Sequence, residues 1–247
     1  MGWARRCVAA MTFATAWMLC DVWGAAAADG PGNPSYLLFG GTDLWRDGAF
    51  LYGGVLWTPP GLDDNGLRAP GFTLKLLVSG GAYSYPSGAL RTDVNGALVS
   101  AAALPGWRLT RDALTVSMFA GPVLQDYRLT PFDPGSRLHG FYAGAQFAAD
   151  VWYQPSPATM VAVSGTTLSV GPTGSLRAAF GERFFAPVFI GPETQALWCA
   201  EYQELRFGAH LTGWRFQALE WEAGAGWALD SDRRAGPYLR LGFNGRY

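Results

Sequence analysis

Leu239-Arg240-Leu241-Gly242-Phe243-Asn244-Gly245-Arg246-Tyr247 decides the fold class. Side chains along a β-strand alternate between its two faces. Leu239, Leu241, Phe243 and Tyr247 therefore share one face, and Arg240, Asn244 and Arg246 share the other. A strand that is apolar on one side and charged on the other separates two environments. The same division recurs upstream. Phe72, Leu74, Leu76 and Val78 oppose Thr73, Lys75, Leu77 and Ser79, and Phe141 to Tyr153 sets seven apolar residues against a face carrying Gln146 and Asp150. Phe207, Ala209 and Leu211 oppose Gly208, His210 and Thr212. In 219–230, Leu219, Trp221, Ala223, Ala225, Trp227 and Leu229 oppose Glu220, Glu222, Gly224, Gly226, Ala228 and Asp230.

The 239–247 segment resembles the closing strand of outer-membrane β-barrels, in which a final aromatic and the apolar residues at every second place before it form an assembly signal; Gly245 departs from that pattern. Trp221 and Trp227 stand near opposite ends of one apolar face, as girdle aromatics at two membrane interfaces do. Turn words punctuate the runs: 58–66, Pro131-Phe132-Asp133-Pro134-Gly135, Gln154-Pro155-Ser156-Pro157 and Asp230-Ser231-Asp232-Arg233-Arg234. Candidate strands fall near 36–45, 48–57, 71–84, 90–104, 112–129, 138–153, 158–170, 174–185, 188–204, 205–217, 219–230 and 237–247. That predicts an all-β, antiparallel transmembrane barrel of about 12 strands, within a range of roughly 10–14. The two words Phe119-x-Gly121-Pro122-x-x-Gln125 and Phe189-x-Gly191-Pro192-x-x-Gln195 echo each other. Proline lacks a ladder donor, so each is expected to be a bend or turn.

Composition fits. Aromatics are 15% and charged residues 15%, and no stretch after residue 28 is long and apolar enough for a spanning helix. A membrane protein of this make-up must close its sheet. The net charge of −1 with no basic stripe argues against nucleic acid as a partner. At the start, Arg5 and Arg6 precede an apolar run from Cys7 to Cys20, and Ala26-Ala27-Ala28 before Asp29 offers a cleavage site. The expected organisation is a signal peptide over 1–28, a linker over 29–35 and an outer-membrane barrel over 36–247. Leu19 before Cys20 argues against a lipid anchor, and Cys199 alone remains in the mature chain. A Cys in such an apolar stretch reads as a small buried hydrophobe.

With apolar faces outward, Lys75, Asp126, Arg128, Asp150 and Arg206 join Glu220, Glu222, Arg240 and Arg246 as lumen charges. Glu220 and Glu222 are expected to pair with Arg240 or Arg246 on the next strand. A lumen of about twelve strands is filled largely by side chains, which disfavours a wide pore. The two histidines give a weak catalytic signal. His210 and Thr212 share a strand face, faintly resembling the His-x-Ser pair of outer-membrane lipid A deacylases, but threonine replaces the serine and no orienting acid is identifiable. His139 precedes Gly140 at the head of a strand and is expected to face a turn. No metal-ligand cluster, phosphate loop or other cofactor motif is present.

The most distinctive words are Phe39-Gly40-Gly41-Thr42-Asp43-Leu44-Trp45-Arg46-Asp47-Gly48-Ala49-Phe50, Tyr52-Gly53-Gly54, and Gly71-Phe72-Thr73-Leu74-Lys75-Leu76-Leu77-Val78-Ser79-Gly80-Gly81. Here the chain resembles the BcsS family of cellulose biosynthesis proteins from alphaproteobacteria. The resemblance implies a non-enzymatic envelope accessory for making or exporting cellulose or a related exopolysaccharide. Its partners would be outer-membrane lipid and the cellulose chain or cellulose secretion subunits. Trp45 beside Arg46 and Asp47 combines an aromatic ring with planar polar groups, a candidate glycan contact. The same residues also read as an interfacial anchor and a two-residue hairpin turn. Two other readings stand beside the accessory: an outer-membrane lipid- or glycan-modifying enzyme using His210, and a soluble periplasmic β-sandwich scaffold.

Overall fold

The computed structural model describes residues 34–59, 66–199 and 202–247; the expected signal peptide over 1–28 and most of the expected 29–35 linker lie outside them. Twelve strands follow one another: β1 (Tyr36–Trp45), β2 (Gly48–Trp57), β3 (Gly71–Ser87), β4 (Thr92–Arg111), β5 (Leu114–Thr130), β6 (Gly140–Ser156), β7 (Thr159–Leu168), β8 (Thr173–Phe185), β9 (Val188–Trp198), β10 (Gln203–Phe216), β11 (Leu219–Asp230) and β12 (Ala235–Arg246). Each pairs antiparallel with its neighbours, and β12 returns to β1, so the sheet is a closed barrel. Closure gives every strand a neighbour on both sides and excludes the two-sheet sandwich. Tyr36 and Tyr247 stack across the seam with ring centroids 5.9 Å apart, while Tyr36 N and Ser35 N both donate to Tyr247 O.

Alternation sets the barrel's polarity. On β12, Arg240 and Asn244 are buried inside while Leu239 and Leu241 are exposed outside. On β3, Thr73, Lys75, Leu77 and Ser79 face in, and Leu76 and Val78 face out. The outer surface is an apolar belt. Near its two rims stand exposed aromatics: Tyr36, Trp57, Trp107 and Trp214 at one end, and Trp198, Phe207 and Trp227 at the other.

The two ends differ. β1 starts and β12 finishes at the same end, where residues 112–113, 157–158, 186–187 and 217–218 form two-residue connections and 58–70 forms a longer one. This is the tight-turn end. At the opposite, loop end only 46–47 and the longer connections 88–91, 131–139, 169–172, 199–202 and 231–234 occur. At each end one connection sends an apolar side chain into the bore. At the tight-turn end Leu67 enters the bore, its N–H bonded to Pro34 O and its carbonyl receiving Arg108 Nη1 at 2.7 Å. At the loop end Leu138 packs inward and Asp133 is fully buried, accepting Tyr85 Oη at 3.1 Å.

The two Gly-Pro words do not bend the chain out of the sheet. Gly121 and Pro122 lie inside β5, and Gly191 and Pro192 inside β9. They interrupt rungs instead. The β4–β5 ladder passes from Ala102↔Val123 to Gly106↔Phe119, and the β8–β9 ladder from Ala179↔Glu193 to Glu182↔Ile190, with register kept on both sides. A side chain at Gly121 would collide with Ala103 O, and one at Gly191 with Phe180 O, so glycine permits the close backbone approach at each gap.

Candidate functional site

The bore is filled in two ways. Along β1–β5, inward aromatic rings pack against glycines directly opposite them on the neighbouring strand. Phe39 covers Gly54, Phe50 covers Gly81, Tyr83 covers Gly96 and Phe119 covers Gly106. A Cβ at any of these glycines would strike the ring. Phe50, Tyr83 and Tyr85 continue as a stack with centroids 6.4 and 6.3 Å apart. Lys75, 2% exposed, lies over Phe119 and Phe39 at 5.1 and 5.9 Å and reaches Asp150 at 3.4 Å. Ring faces and a carboxylate offset part of the cost of taking this cation out of water.

On the β8–β12 side the filling is ionic. Glu193 Oε2 receives Arg177 Nη2 at 2.6 Å and Arg240 Nη2 at 2.9 Å, and Glu193 Oε1 receives Tyr238 Oη at 2.9 Å. Arg240 is opposite Gly224 in the β11–β12 register, and that glycine leaves bare backbone where the guanidinium meets Glu193. Arg206, entirely buried, bonds both Asp43 oxygens at 3.2 and 3.1 Å and Glu204 at 2.5 Å, and lies 4.9 Å over the Tyr238 ring. Tyr202 Oη bridges Glu204 to Asp230, Asp230 holds Arg234, and Arg234 holds Asp47. One chain of polar contacts thus runs from mid-bore to the loop end.

These contacts go beyond the expected network. Glu220 is inside, 3.7 Å from Arg215 across the 217–218 turn and within electrostatic reach of Arg246. Glu222 lies across Gly242, and Arg240 goes to Glu193 on β9. Asp126 and Arg128 are outside the barrel, paired with each other at 2.9 Å. Lys75, Asp150 and Arg206 do face the bore. Trp45 is 6% exposed and belongs to the loop-end core, so it is not a lipid anchor; Leu44 takes the outward place. Arg46 is exposed on the two-residue turn, and Asp47 is tied to Arg46 at 3.4 Å and Arg234 at 3.3 Å. The three residues do not form one platform. The aromatic-on-glycine panel escaped sequence reading, although its signal was the spacing of Phe39, Phe50, Gly54 and Gly81.

His210 is buried, with Nδ1 3.0 Å from Thr212 Oγ1 and Nε2 3.1 Å from Phe180 O. A carbonyl can only accept, so Nε2 carries the proton and Nδ1 accepts from Thr212. Both nitrogens serve internal bonds. Among the described residues no group of three or more His, Cys, Asp or Glu side chains could hold a metal ion. A polar pocket of about 90 Å³ at the tight-turn mouth is lined by Arg215, Gln217, Glu220, Asn244 and Arg246. The larger grooves, about 910 and 650 Å³, are on the apolar outer face over β1–β5.

A closed twelve-strand barrel with an apolar exterior and a charged, filled interior is the architecture of this chain. Residues 37–247 match the family described as "Cellulose biosynthesis protein BcsS", and the chain belongs to that family. No curated protein matches it. Similar solved structures include the KdgM porin (11% identity, 85% of this chain and 99% of that one covered, TM-score 0.44). Others are the β-domain of the Bordetella autotransporter BrkA (12% identity, 87% and 99%, TM-score 0.47) and a TodX mutant described as a monoaromatic hydrocarbon channel (10% identity, 88% and 91%, TM-score 0.47).

Proposed function

We propose that this protein is a non-enzymatic outer-membrane accessory of cellulose or related exopolysaccharide synthesis or export. The observation that carries the reading is the inversion of polarity: leucines and tryptophans outside, Arg177, Glu193, Arg206 and Arg240 inside. In hydrocarbon only a helix or a closed sheet satisfies its backbone, and an outward apolar belt then meets lipid. Short turns of such barrels face the periplasm and longer connections face outward, which puts the loop end outside the cell. The cellulose family membership supports the pathway.

The filled bore argues for action through the ends rather than through a pore. Side chains lining a water-wide channel stay exposed, whereas Lys75, Gln125 and Arg206 are at most 2% exposed. The saturated, buried His210–Thr212 pair offers a substrate no access, which favours an accessory over a lipid- or glycan-modifying enzyme. The partners are outer-membrane lipid and the cellulose chain or its secretion subunits. Deleting the gene is expected to lower surface cellulose while glucan synthesis by isolated inner membranes continues. Re-expressed wild type should restore it, and Phe243→Asp, with a charge on the lipid face, should not insert. Unchanged surface cellulose in the deletion strain overturns the accessory role, and His210→Ala abolishing output at normal membrane level makes the enzyme reading correct.

A further inference from the structure

The wall is uneven at the loop end. β6 continues from Gln146 back to Gly140 beyond its last rung with β7, Gln146↔Leu168, while β5 stays paired with it as far as Tyr127↔Gly140. The β7–β8 turn covers the nearer part of this overhang. Ala145 N donates to Ser169 Oγ at 2.8 Å, Ser169 N donates to Ala145 O at 2.9 Å, and Val170 lies against Gly144. Backbone groups of a strand alternate in direction as side chains do, so Phe141 and Ala143 point their N–H and C=O the same way as Ala145, away from β5. Past the turn those groups meet no backbone partner among the described residues.

The outer face beside this free edge is unlike the belt below it. Lower on β5 the outward residues are Met118, Ala120 and Leu124; at the top they become Asp126 and Arg128. Phe141, 67% exposed, is directly opposite Asp126, whose carboxylate receives Arg128 Nε at 2.9 Å. Phe132, 59% exposed, meets the His139 ring edge-on at 5.4 Å. An unpaired edge and a charged pair are both excluded from hydrocarbon by the cost of unsatisfied polar groups, so this rim stands in water above the belt.

We infer that the β5–β6 rim binds a neutral polysaccharide chain of the β-glucan kind, an inference that rests on the accessory reading above. A hexose offers an apolar C–H face to an aromatic ring and, around its equator, hydroxyls that both donate and accept. Phe141 and Phe132 supply exposed rings. Asp126 and Arg128 supply planar acceptors and donors, and the edge supplies further N–H and C=O groups. The pair's balanced charge suits a neutral polymer. A polypeptide strand would use only the edge, where Phe141 and Ala143 alone present backbone groups, too short a run to hold a strand.

Retention of the purified, detergent-solubilised protein on acid-swollen cellulose tests the inference. Wild type is expected to be retained and released by cellohexaose. Phe132→Ala with Phe141→Ala should weaken retention about tenfold. Arg128→Gln and Ala143→Pro, which removes a free N–H without touching a β5 rung, should each weaken it a few-fold. All variants should keep wild-type heat-modifiable migration, which separates lost binding from lost folding. The inference is overturned if wild type is not retained, if the double variant is retained equally, or if only a secretion-subunit polypeptide displaces the protein. Failure here with reduced surface cellulose in the deletion strain sinks the rim site alone; retention without any deletion phenotype sinks the accessory role instead.

Discussion

The β1–β5 wall and the β8–β12 wall enclose the same bore, yet one is panelled with rings and the other is braced with ions. Each ring on a glycine joins strands that already share a ladder, as Phe50 and Gly81 do. Two of the ion contacts join strands that do not. Arg240 of β12 meets Glu193 of β9, and Arg206 of β10 meets Asp43 of β1. Panelling thickens a wall; bracing fixes the cross-section. The braces should therefore be the less forgiving of the two.

Glu193→Leu is the largest expected break, because it removes the buried carboxylate that Arg177 and Arg240 share. Removing one partner of a buried ion cluster costs about 3–5 kcal/mol, whereas replacing the whole cluster with apolar residues is far milder. Denaturant unfolding in detergent should show that loss for the single variant and recover most of it when Arg177→Met and Arg240→Met are added. A triple variant no better than the single would mean the cluster is not a unit.

Panelling should yield more gently. Gly81→Val sets a side chain into the Phe50 ring, and overpacking of this kind costs about 1–3 kcal/mol. Combining it with Phe50→Leu should cost less than the two changes summed. Strict additivity in thermal unfolding would show that the ring does not depend on the glycine.

The smallest effect belongs to the mouth. Arg215 is 34% exposed and 3.7 Å from Glu220, so their attraction is screened by solvent. Glu220→Gln should cost at most about 1 kcal/mol and lose that cost in high salt. A loss as large as that of Glu193→Leu would move the bracing to β11.

Strand positions were legible because each strand carries its own two-fold alternation; the expected 36–45, 48–57 and 219–230 coincide with β1, β2 and β11. The lumen pairings were less so. Glu220 and Glu222 were expected to pair with Arg240 or Arg246. The contact of Arg240 with Glu193 on β9 was not foreseen, because a contact across the bore depends on strand tilt and closure, which no single strand records. Asp126 and Arg128 were read as lumen residues because charge usually avoids lipid, yet β5 simply outlasts the apolar belt, and nothing in its alternation marks where the belt stops. Trp45 looked like a surface aromatic because it ends a strand; parity with Asp43 and Phe39 turns it inward. The family words Phe39-Gly40-Gly41 and Tyr52-Gly53-Gly54 are legible only once paired, since the glycine beneath Phe39 is Gly54.

The two missing sets of rungs at Gly121-Pro122 and Gly191-Pro192 give the barrel a mechanical grain. The gaps lie between β4 and β5 and between β8 and β9, four strands of twelve apart, or a third of the way around. A hoop with every stave joined resists squeezing equally in all directions. One with two loosened joints resists least there, along the two seams that bound the β5–β8 arc.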